Sequence, residues 1–126
     1  MFARSVFSLR FGTMQVDALV DAAVAAGVDR LALTDINNTA AIPDFMMACE
    51  ASGISPVAGA EIRNGNDHLF TLVARNNAGF REINEFITRH NVSGELYPDR
   101  AQDFLQCYAV YPLRRMPAGK IGRAHV

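Results

Sequence analysis

Asp35, Glu61 and His68 are the side chains with which this sequence could do chemistry, each at or beside the end of a predicted strand. Ionised carboxylate and neutral imidazole both donate to Zn, Mn or Fe, so the three would suit a divalent transition-metal site if one barrel rim brought them together. Each also has a structural reading. Asp35, or Asn37 beyond it, would start a turn. Glu61 would pair with Arg63 or Arg30, and His68 would stand on a strand surface. His90 lies near a predicted helix C-terminus, where the helix dipole alone favours histidine. The sequence contains no Gly-rich phosphate loop, no Ser or Cys nucleophile motif, and no CxxC or HExxH.

The elements that must position these groups centre on Leu31-Ala32-Leu33-Thr34, an apolar run that ends abruptly in Asp35-Ile36-Asn37-Asn38. Such a run suits an interior parallel strand, Arg30 to Thr34, buried on both faces. In α/β folds the carboxyl ends of these strands carry the site, which places Asp35 there. Before it, Phe2 to Leu9 permits a strand with Phe2 and Arg4 on one face. Thr13 would cap a helix with Val16, Leu19, Val20, Ala23 and Ala26 as its apolar stripe and Gly27 as its stop.

After it, a second helix spans Ala41 to Ser52, with Pro43 in its first turn, Ile42, Phe45, Met46 and Cys49 inward, and Gly53 as its end. Ile54 to Ile62 reads as a strand with Pro56 near its start, Asn64-Gly65-Asn66-Asp67 as a tight turn, and His68 to Ala74 as a further strand. Asn76 or Asn77 caps a third helix presenting Phe80, Ile83, Phe86 and Ile87. Tyr97-Pro98-Asp99 is a turn and Cys107 to Tyr111 a last strand. The order predicts an α/β domain with a largely parallel sheet.

At 126 residues the chain has room for one domain, and 50% hydrophobic against 20% charged residues mark it as globular. With 12 basic and 13 acidic residues, net −1, no overall positive field draws it to nucleic acid. Cys49 and Cys107 have no zinc-type spacing and fit reduced thiols in a cytoplasmic protein. No apolar run is long enough to span a membrane, so no membrane partner is expected. The first sixteen residues, with Arg4, Arg10, two serines and no acid, have the composition of a mitochondrial transit peptide, yet run straight into folded-looking sequence.

The stretch "SLRFGTMQVDALVDAAVAAGVDRLALTDINN", followed by "GISPVAGAEIR" and "HLFTLVARNNAGFREINEF", resembles the amino-terminal PHP (polymerase and histidinol phosphatase) domain of bacterial DNA polymerase III α subunits. The resemblance runs from about Arg4 to about His90, and "TDINN" with "RNG" after the glutamate resembles Bacteroidetes-like α subunits in particular. It implies a partial PHP-type distorted (β/α)7 barrel over residues 1–119. It also implies a trinuclear metal cluster in which Glu61 and His68 match ligand positions, while Asp35 matches a motif aspartate that is not a usual direct ligand. The other four early ligand positions hold Phe2, Arg4, Phe11 and Ile36, none of which binds a metal. No cofactor is therefore expected in this chain, although Zn or Mn would be the metals of a complete cluster and Mg would serve the parent polymerase. Arg4 is expected to supply positive charge near Asp35 or Glu61 in place of the metal.

The resemblance further implies the remainder of the polymerase α subunit as partner, contact with the proofreading exonuclease subunit, and DNA reached through the parent protein. On this reading the domain is structural and has no phosphoesterase activity of its own. The alternatives are a stand-alone metal-dependent PHP phosphoesterase and a non-enzymatic PHP-like binding module. Residues 120–126, Lys-Ile-Gly-Arg-Ala-His-Val, match the in-frame translation of a common sequencing adapter and are expected not to be biological.

Overall fold

The computed structural model describes Phe2–Ala3, as backbone, and residues 16–113. Strand β1 (Phe2–Ala3) is followed by α1 (Val16–Ala25), β2 (Arg30–Ile36), α2 (Ile42–Ala51), β3 (Ser55–Asn64), β4 (Asp67–Ala74), α3 (Asn77–Ser93) and β5 (Cys107–Val110). The described strands form one sheet in chain order. Helices α1 and α2 cross between strands, and the pairs β1·β2 and β2·β3 are accordingly parallel. A two-residue hairpin leaves no room for a crossover, so β4 returns antiparallel to β3, and β5 is antiparallel to β4. The α/β class read from the order of elements holds, with β1, β2 and β3 parallel and the hairpin and β5 adding antiparallel pairs.

Helices α1, α2 and α3 cover one face of this sheet. Leu19, Val20 and Ala23 of α1 and Ile42, Phe45 and Cys49 of α2 pack on Leu31, Leu33 and Ala58. Ile83, Phe86 and Ile87 of α3 pack on Ala60, Ile62, Phe70 and Leu72. Side-chain alternation puts Ala58, Ala60 and Ile62 on the same face of β3, so the two clusters form a continuous layer, with Ala74 touching both. Ala26, expected on the α1 stripe, is exposed, because the helix ends at Ala25 and Gly27 turns away at φ +74°. Met46 and Phe80 are half-buried against the first cluster. Pro56 lies in β3 ahead of Gly59, where the pairing with β4 begins, so its missing donor interrupts no bond to β4.

The third helix is pinned at both ends. Asn76 caps it by accepting from the Gly79 amide at 3.0 Å. At its other end Gly94 adopts φ +73° and donates to the His90 carbonyl. The His90 ring packs on Phe86 and Tyr97, with ring centroids 4.8 and 4.7 Å away. Its carboxylate Glu82 accepts from the amides of Leu105 and Gln106 at 2.8 and 2.6 Å, drawing the approach to β5 onto the helix. Contact there is so close that a Cβ at Gly79 would stand 2.1 Å from the Gln106 carbonyl oxygen.

Two outcomes test this packing. Gly79→Ala gains about 1 kcal/mol of helix propensity. It then loses about 3 kcal/mol or more to overpacking against backbone, so denaturant titration will show net destabilisation. The second test concerns the buried thiols. Burial, with the Glu82 carboxylate beside it, pushes the Cys107 thiol up to about 12 from its ordinary 9.0, and burial raises Cys49. A neutral thiol held above its unfolded pKa contributes stability that is intact below pH 9 and lost as pH rises toward about 12. Unfolding midpoints will fall across that window, less so in Cys107→Ala, and neither thiol will react with iodoacetamide in the native chain at pH 8.

Candidate functional site

The other face of the sheet, opposite the helices, carries Ala32, Thr34 and Ile36 of β2, Val57, Gly59 and Glu61 of β3, and Thr71 and Val73 of β4. Asp35 does not share it. The strand continues past Thr34 because its ladder with β3 runs on to Ile36 opposite Glu61, and alternation then places Asp35 with Leu31 and Leu33 on the helix side. Asp35 is 1% exposed, has polar company, and lies within β2 on the face opposite to that of Glu61, not at the start of a turn.

Glu61 and His68 do come together. Glu61 is 3% exposed and lies opposite Thr71. A β-bulge brings the histidine across. Ile62 pairs with Phe70 and Arg63 with His68, leaving Leu69 as the extra residue of β4, and Leu69 and Phe70 both enter the core. Three residues apart in a regular strand, His68 and Thr71 would face opposite ways. The bulge lets the His68 Nε2 and the Thr71 hydroxyl oxygen meet at 3.0 Å.

The residue that completes the site is Arg63. Its Nε donates to Glu61 Oε2 in an ion pair whose side chains are 12% and 4% exposed, and its Nη1 donates to the Asn66 carbonyl in the hairpin turn at 3.0 Å. Of Arg63 and Arg30, Arg63 is the one that pairs with Glu61. Arg30 lies at the far end of the same face, beside a hollow of about 600 Å³ lined by Ala32, Val57, Val73, Arg75 and Tyr108, away from Glu61.

Asn37 fixes Arg63 in place. Its backbone N–H extends the ladder to the Glu61 carbonyl at 2.9 Å. Its side-chain amide donates to the Arg63 carbonyl and accepts from the Arg63 N–H, both at 2.9 Å. The amide thus acts as one more peptide unit of β2, and the φ of +49° it requires is one asparagine tolerates. Asn64 repeats the device, its amide bonding the carbonyl and N–H of Tyr97 at 2.9 and 3.0 Å.

Arg63, Asn37 and Thr71 were not singled out by residue type as site members, although Arg63 stands two residues from Glu61, the spacing that puts both on one strand face. Arg4 and Phe11 lie outside the described residues, as do residues 120–126. The backbone of Phe2 pairs with Ala32. Among the described residues no group of three or more His, Cys, Asp or Glu could hold a metal ion, and no helix is long and apolar enough to cross a membrane.

Among the described residues a metal at Glu61 does not fit. The carboxylate already holds a guanidinium that never deprotonates, and the apolar Ile36 faces Glu61 across the β2–β3 ladder. What the arrangement does is fasten β2, β3, the hairpin and β4 to one another through charge and amide bonds.

Comparison with known proteins agrees with this architecture. The family model described as PHP domain matches residues 3–125. An error-prone DNA polymerase of Symbiobacterium thermophilum is 32% identical over 95 residues, 75% of this chain and 9% of its own. The DNA polymerase III subunit alpha of Neisseria meningitidis is 32% identical over 88 residues, covering 65% of this chain and 8% of its own. That of Vibrio cholerae is 26% identical over 130 residues, covering 95% and 11%. The chain thus spans about a tenth of the length of these relatives.

Among solved structures, a Bifidobacterium adolescentis protein assigned as a metal-dependent phosphoesterase superposes with TM-score 0.53 at 21% identity, over 72% of this chain and 32% of that one. An amidohydrolase from Chromobacterium violaceum, with bound sulfate and no metal, superposes with TM-score 0.50 at 20% identity, over 73% of this chain and 34% of that one.

Asn37→Ala removes both bonds to the Arg63 backbone and a residue type that tolerates positive φ. The expected loss is about 2–3 kcal/mol in urea unfolding, with Asn37→Gly recovering only the backbone part.

Proposed function

The chain belongs to the PHP domain family, and from that premise we propose that it is the amino-terminal part of the PHP domain of a replicative DNA polymerase III α subunit. The observation that carries this reading is the 32% identity to the polymerase relatives, confined to a stretch that is 8–9% of their length. In the parent protein the activity is DNA-templated DNA synthesis, with Mg held by carboxylates elsewhere in the polypeptide. The partners are then the remainder of the α subunit, the proofreading exonuclease subunit and, through the parent, DNA, all in the cytoplasm.

Within that assembly this domain works as a brace and has no phosphoesterase activity of its own. Metal-assisted hydrolysis needs a metal-bound water and carboxylates free to hold the ion. Here Glu61 is given to Arg63, His68 is bonded to Thr71, and the family's histidine position after Asp35 is Ile36. Zn or Mn would find an incomplete set of donors in these residues.

Two measurements test the reading. Long-read sequencing of the source DNA across the codons for Gly119 and Lys120 is expected to continue the frame into a chain of polymerase length carrying paired palm aspartates. A stop after Val126 would leave a small PHP-like binding module instead. The full chain, assayed on p-nitrophenyl phosphate with Mn²⁺ or Zn²⁺, is expected to show no turnover above buffer. Turnover that Glu61→Gln abolishes would make it a stand-alone phosphoesterase.

A further inference from the structure

The end of the sheet opposite Glu61 gathers positive charge that this chain does not answer. Arg30 opens β2 opposite Ser55, and Arg75 directly follows β4, its N–H carrying the ladder on to the Gln106 carbonyl at 2.9 Å. Alternation puts Arg30 with Ala32 and Thr34, and Arg75 with Val73 and Thr71, on the face away from the helices. With β3 between them, the strands that carry the two arginines stand about 10 Å apart. There both line the hollow of about 600 Å³, together with Ala32, the half-buried Val57 and Val73, and Tyr108. The Arg75 guanidinium lies over the Tyr108 ring, 5.4 Å from its centre. Stacking uses the flat face of the guanidinium and leaves its N–H edge for an oxyanion.

All 13 acidic side chains of the chain fall within residues 16–113. None of them lines the hollow, and none is paired with Arg30 or Arg75. Arg63, by contrast, has its carboxylate in Glu61. A single exposed arginine is answered by solvent, whereas two that border one partly apolar hollow have the makings of a ligand site.

We infer that this hollow binds a small organic dianion, a phosphomonoester or a dicarboxylate, whose oxygens the Arg30 and Arg75 guanidiniums hold and whose apolar body rests on Val57, Val73 and Tyr108. The inference goes beyond the polymerase reading and does not depend on it, because the hollow lies at the far end of the face from Glu61. Charge selects the ligand. Two guanidiniums balance a phosphomonoester, which carries about −1.5 to −2 at pH 7, or a dicarboxylate, while a monoanion leaves one of them unanswered. The volume lies within the range of about 300–1,000 Å³ that small-molecule sites occupy. A nucleic-acid strand would call for a longer track of cations, and the chain as a whole carries net −1.

The test titrates phenyl phosphate, isophthalate, benzoate and inorganic phosphate into the full chain at low ionic strength, read by calorimetry. Wild type is compared with Arg30→Gln, Arg75→Gln and, as a control for unspecific charge, Arg81→Gln on the exposed side of α3. Phenyl phosphate or isophthalate is expected to bind saturably with a Kd below about 1 mM. Benzoate, which lacks the second charge, and inorganic phosphate, which lacks the apolar body, are expected to bind at least about tenfold more weakly. Arg30→Gln and Arg75→Gln are each expected to lose at least about tenfold, and Arg81→Gln to match wild type. Tighter binding of phenyl phosphate identifies a phosphomonoester site, and tighter binding of isophthalate a dicarboxylate site. Both arginines are exposed, so the variants are expected to keep the wild-type Tm. Should one unfold, lysine at that position, which keeps the charge and loses the fork, is read instead and is expected to weaken binding. Absence of saturable binding by either dianion overturns the inference, as does equal binding of benzoate or inorganic phosphate, or an equal loss in Arg81→Gln.

Discussion

Strand β3 is hydrogen-bonded along both edges, in parallel to β2 and in antiparallel to β4, and that double ladder is the constraint from which the other features follow. Backbone N–H and C=O groups in a buried strand must be paired, so Gly59, Ala60 and Glu61, which lie in both ladders, each fix a neighbour on either side. Glu61 illustrates it. The parallel ladder sets Ile36 beside it, the antiparallel ladder sets Thr71 beside it, and the bulge one step further delivers His68. With Arg63 two residues on, a buried carboxylate, a guanidinium and an imidazole are assembled from a single hairpin and one adjoining strand.

Charge decides what this assembly can do. A carboxylate 3% exposed is strongly disfavoured unless compensated. Here an internal guanidinium compensates it, tied at the far end to the hairpin turn and held along its backbone by Asn37. The consequence is mechanical. These bonds join β3, the turn and the end of β2.

The apolar side of the sheet behaves differently, because burial has no direction and tolerates substitution. Two clusters, one beneath α1 and α2 and one beneath α3, meet at Ala74. Their tightest point is the meeting of Gly79 with Gln106, where Glu82 and Asn76 also take hold of the approach to β5. That contact helps to set the position of β5 on β4.

Much of this was legible in the residues themselves. Periodicity and punctuation located β2 to β5, α2 and the start of α3 to within a few residues, since the 3.6 and 2 spacings and the stops at Gly27 and Gly53 are local properties. The motif resemblance identified the family for the same reason, being a matter of residue order. Facing and partnership were decided only by the tertiary structure. The ladder that carried β2 through to Ile36 turned Asp35 away from Glu61, and the bulge at Leu69 turned His68 toward it. The choice of Arg63 over Arg30, and the discovery of Asn37 as its clamp, depend on hydrogen bonds between residues 26 positions apart. A sequence names the groups that can pair; only the folded backbone brings one donor within reach of one acceptor.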